Sequence, residues 1–152
     1  MKRKFPDLKI PDFIKESKSP NWNPRLYSPM VFNETIKKNA EQFKPGTLDY
    51  DDFWEEMDYY CYHGFAPKGM PRITGRHFYY LNFTAIKLLP KGKKDKILAN
   101  PNYRDLDHWI FLEIECAIKN GYGLILAKPR QVGLSELGVV NVNYTLTFNY
   151  LA

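Results

Sequence analysis

Residues 122–136 read YGLILAKPRQVGLSE, and this stretch decides the fold that the sequence predicts. Its first half, residues 122–128, is a short continuous apolar run, which is typical of a strand buried on both faces of an α/β sheet. A helix over residues 136–148 is predicted by the apolar stripe of Leu137, Val140, Tyr144 and Phe148. A strand, a tight loop and a helix opening with Gly-x-Ser form the architecture of a phosphate-binding loop.

The loop itself departs from the standard pattern G-x-x-x-x-G-K-[ST]. In that pattern, backbone amides and the helix N-terminus hold the phosphates, the lysine neutralises their charge, and the hydroxyl ligates magnesium. Aligned on Gly-x-Ser, residues 128–135 have Lys128 in place of the first glycine and Leu134 in place of the usual lysine. A cation at the start of the loop can still fold back over the same phosphates, and Arg130 adds a second one. The alternative interpretation is an ordinary strand-to-helix turn.

A second helix is predicted immediately before the apolar run. Asp105 is its expected N-cap and Asn120-Gly121 its stop. Its expected buried face consists of Leu106, Trp109, Ile110, Ile114, Ala117 and Ile118.

The N-terminal 99 residues divide into two regions. Residues 1–30 hold five of the eleven prolines and a net charge of +4, and we expect an extended basic arm. Residues 31–99 are predicted to be mainly helical, with one short helix over 33–43 and another that begins after Thr47 and ends at Gly64. The apolar face of the latter comprises Tyr50, Phe53, Trp54, Met57, Tyr60 and Cys61.

Residues 71–89 are rich in β-branched and aromatic side chains, and they predict a β-hairpin with its turn at Thr74-Gly75. Its second arm is expected over residues 77–83. His77 is interpreted as a strand histidine satisfied by the backbone, because no second histidine or cysteine stands at metal-binding spacing. The acidic residues Glu55, Glu56 and Asp58 are interpreted as a solvated helix face and not as a metal cluster.

Composition excludes several classes of protein. A charged fraction of 26% together with 16% aromatic residues excludes a disordered chain. No apolar run approaches the roughly 20 residues that cross a bilayer, so no membrane association is expected. Residues 64–104 carry nine Lys or Arg and one Asp, and such a basic region is able to contact a polyanion, although a solvated loop is the simpler interpretation.

Three segments, taken together, resemble the large terminase subunit of tailed bacteriophages, the ATPase-nuclease that packages DNA into procapsids. KPRQVGLS (128–135) matches the deviant phosphate loop K-x-R-Q-x-G-x-S of that family. ITGRHFYYLNFTAI (73–86) resembles the segment that precedes its ATPase core, and NPNYRDLDHWIFLEIE (100–115) resembles its adenine-recognition motif. The resemblance covers about residues 47–152.

This resemblance implies a role for each loop residue. Lys128 would contact the β- and γ-phosphates, Ser135 would ligate Mg²⁺, and Gly133 would let backbone amides approach the nucleotide. Arg130 would be a cis-acting arginine finger. The loop is completed by Gln131 and Leu134.

The adenine base of ATP would bind around Tyr103, Arg104 and Asp107. Many relatives have a glutamine in this motif, and Asp107 is its counterpart here. A carboxylate accepts a hydrogen bond from the adenine amino group but cannot also donate one to the ring.

The expected fold class is therefore α/β, with residues 100–152 forming the start of an ASCE-type P-loop ATPase core whose sheet is incomplete. Nothing after Ser135 supplies the acidic strand end, catalytic glutamate or nuclease carboxylates of such an enzyme, so we expect an N-terminal piece of a larger protein, inactive alone. The resemblance also implies double-stranded DNA, portal protein and the small terminase subunit as partners, a homo-oligomeric ring, and the host cytoplasm. The alternative is a non-catalytic module that binds nucleic acid or a capsid protein.

Overall fold

The computed structural model describes residues 42–66, 72–89, 92, 94–126 and 134–149, without the side chains of Asp105 and Asn149. The predicted arm (1–30) and most of the helix predicted over 33–43 lie outside these residues. In chain order the described elements are α1 (Leu48–His63), α2 (Gly75–Phe83), β1 (Ile86–Leu88), β2 (Ile97–Ala99), α3 (Asp105–Asn120) and α4 (Leu134–Asn149).

Helix α1 confirms the prediction made for the segment after Thr47. Thr47 is its N-cap residue. Gly64, at φ 84°, ends the helix, and its N–H donates a hydrogen bond to the carbonyl of Tyr60. Phe53, Met57 and Cys61 are buried along one face. The opposite face carries Glu55, Glu56 and Asp58, all exposed, as the solvated-face interpretation requires.

Helix α2 corrects the predicted hairpin of residues 71–89. Thr74-Gly75 is the beginning of a helix instead of a turn between strands, because the Thr74 hydroxyl accepts a hydrogen bond from the amide of His77 at 3.1 Å. Aromatic residues such as Phe78 and Tyr80 favour strands locally, but here they are buried on nearly every side of a short helix. Tertiary packing therefore overrides local β-propensity.

The hairpin of this region lies farther along the chain. Strands β1 and β2 pair antiparallel, with Ile86 opposite Ala99, Lys87 opposite Leu98, and Leu88 opposite Ile97. Among the described residues this two-stranded sheet is accompanied only by an isolated bridge between Phe65 and Ile73. The described chain is thus a mixed helical and β structure in which helices predominate.

Helix α3 begins one residue earlier than predicted, because Arg104 and not Asp105 occupies the N-cap position. Its end is confirmed: Gly121 adopts the left-handed conformation, at φ 67°, and its amide bonds back to the last turn. The buried face differs from the prediction, since Leu106 and Ile118 are exposed. Asp107, His108 and Phe111 are buried in their place.

Residues 122–126 form no strand, which corrects the buried strand predicted there. Ile125 is 94% exposed, because no neighbouring strand is present among the described residues to pair with this run or to cover it. Helix α4 confirms its predicted stripe, whose four members are all buried: Leu137, Val140, Tyr144 and Phe148.

The core lies around α2, which packs against α1, α3 and α4. It is strongly aromatic. Phe78 of α2 lies against Tyr60 of α1, with 5.4 Å between ring centroids, while Tyr79 contacts Tyr144 and Phe148 of α4 at 5.8 and 5.7 Å. Gly75 makes this packing possible, because a Cβ at this position would overlap the carbonyl of Cys61.

Candidate nucleotide-binding cavity

The residues of the predicted phosphate loop are only partly described. Lys128, Arg130, Gln131 and Gly133 lie outside the described residues, so their predicted roles remain predictions. Leu134 and Ser135 form the first turn of α4, where Leu134 is half-buried and Ser135 is exposed. The Ser135 hydroxyl is therefore accessible from solvent, and its role as the magnesium ligand stays a prediction.

The predicted adenine motif brings Arg104 and Asp107 into direct contact. Both carboxylate oxygens of Asp107 accept hydrogen bonds from Arg104, one from Nε at 2.8 Å and one from a terminal nitrogen at 2.7 Å. Asp107 is fully buried, whereas the Arg104 side chain is 46% exposed. The carboxylate therefore orients the guanidinium and does not present itself to a ligand.

The electrostatics of this pair follow from its burial. The hydrogen bond to Asp107 raises the pKa of Arg104 even though desolvation acts in the opposite direction. Burial raises the pKa of Asp107, and the two hydrogen bonds from Arg104 oppose that shift. Arg104 keeps its charge at any physiological pH, and the carboxylate of Asp107 balances that charge from the buried side of the guanidinium.

The cation of Arg104 faces a cavity of about 380 Å³ between the hairpin and the N-terminus of α4. Its lining residues are Tyr80, Ile86, Lys87, Leu88, Lys96, Pro101, Asn102, Arg104 and Glu136. Among the described residues, the lining holds three cationic side chains and the carboxylate of Glu136, and Asp107 balances Arg104 from behind. The described lining thus keeps a small excess of positive charge, which favours an anionic ligand. Burial raises the pKa of Tyr80 to about 12, so its hydroxyl stays protonated and able to donate a hydrogen bond.

Sequence reasoning identified only Arg104 among these lining residues. Lys87 and Lys96 belong to the basic region noted from the sequence, and they reach the cavity because β1 and β2 border it. No pattern in the sequence pointed to Tyr80 or Glu136, since their positions depend on how α2 and α4 pack.

Tyr103 is the remaining residue of the predicted adenine motif, and it is half-buried next to Arg104 in the chain. Its ring stacks on that of His77, with centroids 5.4 Å apart and planes at 25°. His77 is sandwiched on its other side by Phe111 at 5.1 Å. The ring nitrogens of His77 have no hydrogen-bond partner among the described residues. The prediction of a strand histidine whose ring is satisfied by the backbone is therefore wrong, since His77 lies in α2. Burial, with a smaller contribution from His108, holds the pKa of His77 well below its usual range.

The described residues contain no cluster of three His, Cys, Asp or Glu side chains able to hold a metal ion. Within the same ranges, no helix is long and apolar enough to cross a membrane. Searches of protein-family models, curated proteins and solved structures find no match to this chain.

Proposed function

We propose that this chain binds ATP and Mg²⁺ through residues 128–135 and the cavity beside them, as the N-terminal part of a DNA-packaging ATPase of the large terminase kind. One observation carries the proposal. Arg104, from the segment that resembles an adenine motif, and Glu136, directly after the phosphate-loop serine, line the same cavity. A residue of the adenine-like segment and a residue next to the phosphate loop thus lie at one cavity, because α3 and α4 both pack against α2.

The chemistry of the cavity agrees with a nucleotide. A base has a flat apolar face and polar edges, and the lining combines apolar surface from Ile86, Leu88 and Pro101 with donors from Tyr80 and Arg104. In this proposal Arg104 contacts the nucleotide while Asp107 positions it. Lys128 binds the β- and γ-phosphates, Arg130 stabilises the transition state, and Ser135 ligates Mg²⁺. Gln131, Gly133 and Leu134 supply backbone to the loop.

A second candidate, a non-catalytic module that binds nucleic acid or a capsid protein, is favoured by the surface of the hairpin. Leu98 on β2 is 71% exposed, and Lys87, its partner on β1, is also exposed. Exposed apolar and cationic side chains side by side are typical of an interaction surface. In that case the loop is an ordinary turn and nucleotide binding is absent.

Calorimetric titration of the 152-residue chain with Mg-ATP tests the proposal. We expect saturable binding that weakens at least about tenfold in Lys128→Ala, since a charge-assisted contact to phosphate contributes roughly 1.5–3 kcal/mol. Arg104→Lys should weaken binding less, because the charge remains but the forked donor is lost. Lys44→Ala, an exposed lysine remote from the cavity in sequence, is the matched control. Equal affinities in wild type and Lys128→Ala would contradict the proposal.

A further inference from the structure

A second basic pocket lies elsewhere on the molecule. It has a volume of about 220 Å³, and none of its described lining residues belongs to the candidate nucleotide-binding cavity. Its walls are formed by all four helices and by the segment that precedes α2. Its main polar residues are Arg72, Arg76, Glu115, Lys119 and Tyr144. Along α4, Tyr144 lies eight residues beyond Glu136, which corresponds to about 12 Å of helix.

Arg76 is the central residue of this pocket. It is only 8% exposed, and one terminal nitrogen is fully used in contacts with α4: the Asn141 side-chain oxygen at 2.7 Å, the Thr145 hydroxyl at 2.8 Å and the Asn141 carbonyl at 3.3 Å. The guanidinium also lies over the ring of Tyr144, 4.4 Å from its centroid. Nε and the other terminal nitrogen have no hydrogen-bond partner among the described residues.

No carboxylate in the described part of the chain bonds to Arg76. The carboxylate of Glu115 is instead held by Arg72, at 3.1 and 3.2 Å, and by Lys119 at 2.8 Å. In the described part of its lining the pocket therefore contains three cations and one carboxylate, and that carboxylate is already paired with Arg72 and Lys119. Removing a cation from water costs free energy that a paired anion normally offsets. Desolvation accordingly lowers the pKa of Arg76, with only a partial opposing effect from Tyr144 and Glu115.

The N-terminus of α2 opens into the same pocket. Thr74 caps the amide of His77 with its hydroxyl and that of Phe78 with its carbonyl. The amides of Gly75 and Arg76 have no acceptor within the described ranges, although Thr74, Gly75 and Arg76 all line the pocket. Free amides at a helix N-terminus carry partial positive charge and bind oxyanions. The buried guanidinium and these amides are independent features that favour the same ligand.

We infer that this pocket binds a phosphate group, with Arg76 and the first amides of α2 as donors and Lys119 at the entrance. The Lys119 side chain is 70% exposed, so an anion reaches it from solvent. The phosphate group comes either from a free phosphate compound or from a nucleic-acid backbone, which present the same oxyanion. The inference does not depend on the proposed ATP site, because the two cavities are separate.

The test uses the 152-residue chain carrying Lys128→Ala, so that phosphate bound at the proposed nucleotide loop does not interfere. Inorganic phosphate is added at constant ionic strength while ¹H–¹⁵N NMR spectra report the amides of Gly75 and Arg76. We expect saturable shifts of both amides. Lys119→Gln should weaken binding about three- to tenfold, and Arg76→Gln at least about tenfold, since charge-assisted hydrogen bonds are lost.

Glu115→Gln distinguishes phosphate binding from a purely structural role of the ion pairs among Arg72, Glu115 and Lys119. This change removes the carboxylate of the pocket, so phosphate should bind more tightly even though the folded chain loses two ion pairs. Lys44→Gln is the control for general loss of positive charge. Absence of saturable shifts, or unchanged affinity in both Lys119→Gln and Glu115→Gln, overturns the inference even if Arg76→Gln does not fold.

A second titration with a short DNA duplex identifies the source of the phosphate. Competition between the duplex and inorganic phosphate for the Gly75 and Arg76 amides supports a nucleic-acid backbone as the ligand. Shifts caused by inorganic phosphate but not by the duplex support a free phosphate compound.

Discussion

The buried carboxylate of Asp107 is held by two hydrogen bonds from Arg104, which is itself half exposed beside the candidate nucleotide-binding cavity. The two residues lie three positions apart at the start of α3, so their side chains meet on one helical turn. Because Arg104 also lines the cavity, the pair joins the start of α3 to the cavity wall. A buried charge with a single cationic partner is sensitive to removal of that partner.

Arg104→Ala should therefore lower the free energy of unfolding by about 2–3 kcal/mol, somewhat less than for a fully buried pair because water reaches the vacated position. Asp107→Asn should cost less, since the amide oxygen still accepts one hydrogen bond from Arg104. Urea denaturation of both variants and of the double variant measures these values. We expect the double variant to lose less than the sum of the two single changes, and strictly additive effects would show that the pair does not interact.

The two buried histidines should make stability depend on pH. Burial holds the pKa of His77 well below its ordinary value and lowers that of His108 to about 4. Between about pH 4 and 6.5 the unfolded chain therefore binds more protons than the folded chain, and stability falls as the pH is lowered through this window. Each histidine contributes a slope of up to about 1.4 kcal/mol per pH unit.

His77→Phe isolates one of these contributions. Phenylalanine keeps the stacking on Tyr103 and Phe111, and it removes ring nitrogens that have no partner among the described residues. We expect near-wild-type stability at pH 7.5 and a pH slope reduced by about one proton. Chemical denaturation at several pH values between 4 and 7.5 gives the slope, and a slope equal to that of wild type would refute the assignment.

Two glycines offer a matched pair of substitutions. Gly75→Ala places a Cβ against the carbonyl of Cys61, so α1 and α2 must move apart, and we expect a loss of about 3 kcal/mol. Gly138→Ala, on the exposed side of α4, meets nothing within 4 Å and should stabilise the chain by about 0.5–1 kcal/mol through helix propensity. Thermal unfolding of both variants tests this contrast. A well-tolerated Gly75→Ala would mean that the two helices are less closely packed.

Hydrolysis of ATP should be undetectable for the 152-residue chain even if Mg-ATP binds. Phosphoryl transfer requires magnesium held from more than one side and an oriented water. Ser135 is exposed in the first turn of α4, but the described residues contain no cluster of carboxylates that could hold magnesium from another side. Magnesium-dependent phosphate release, with Lys128→Ala as the control, measures turnover. Activity that Lys128→Ala removes would show that the chain carries a complete catalytic site.

The sequence by itself determined the elements whose signals are local. Thr47 and Gly64 bound α1, Gly121 ends α3, and the apolar stripe of α4 is buried as its 3.6-residue spacing predicts. Capping and periodicity act within one or two helical turns, so a linear pattern is sufficient to identify them.

Tertiary structure alone decided the rest. Segment 75–83 has strand-forming side chains, yet it is a helix because α1, α3 and α4 surround it and bury its aromatic rings. Asp107 lies on the buried face of α3, where Arg104 neutralises its charge. His108 lies on the same face, where its ring packs near those of His77 and Tyr103. The two basic pockets likewise combine side chains from elements distant in sequence. Burial and charge pairing depend on the whole packed molecule, and no local pattern of residues records them.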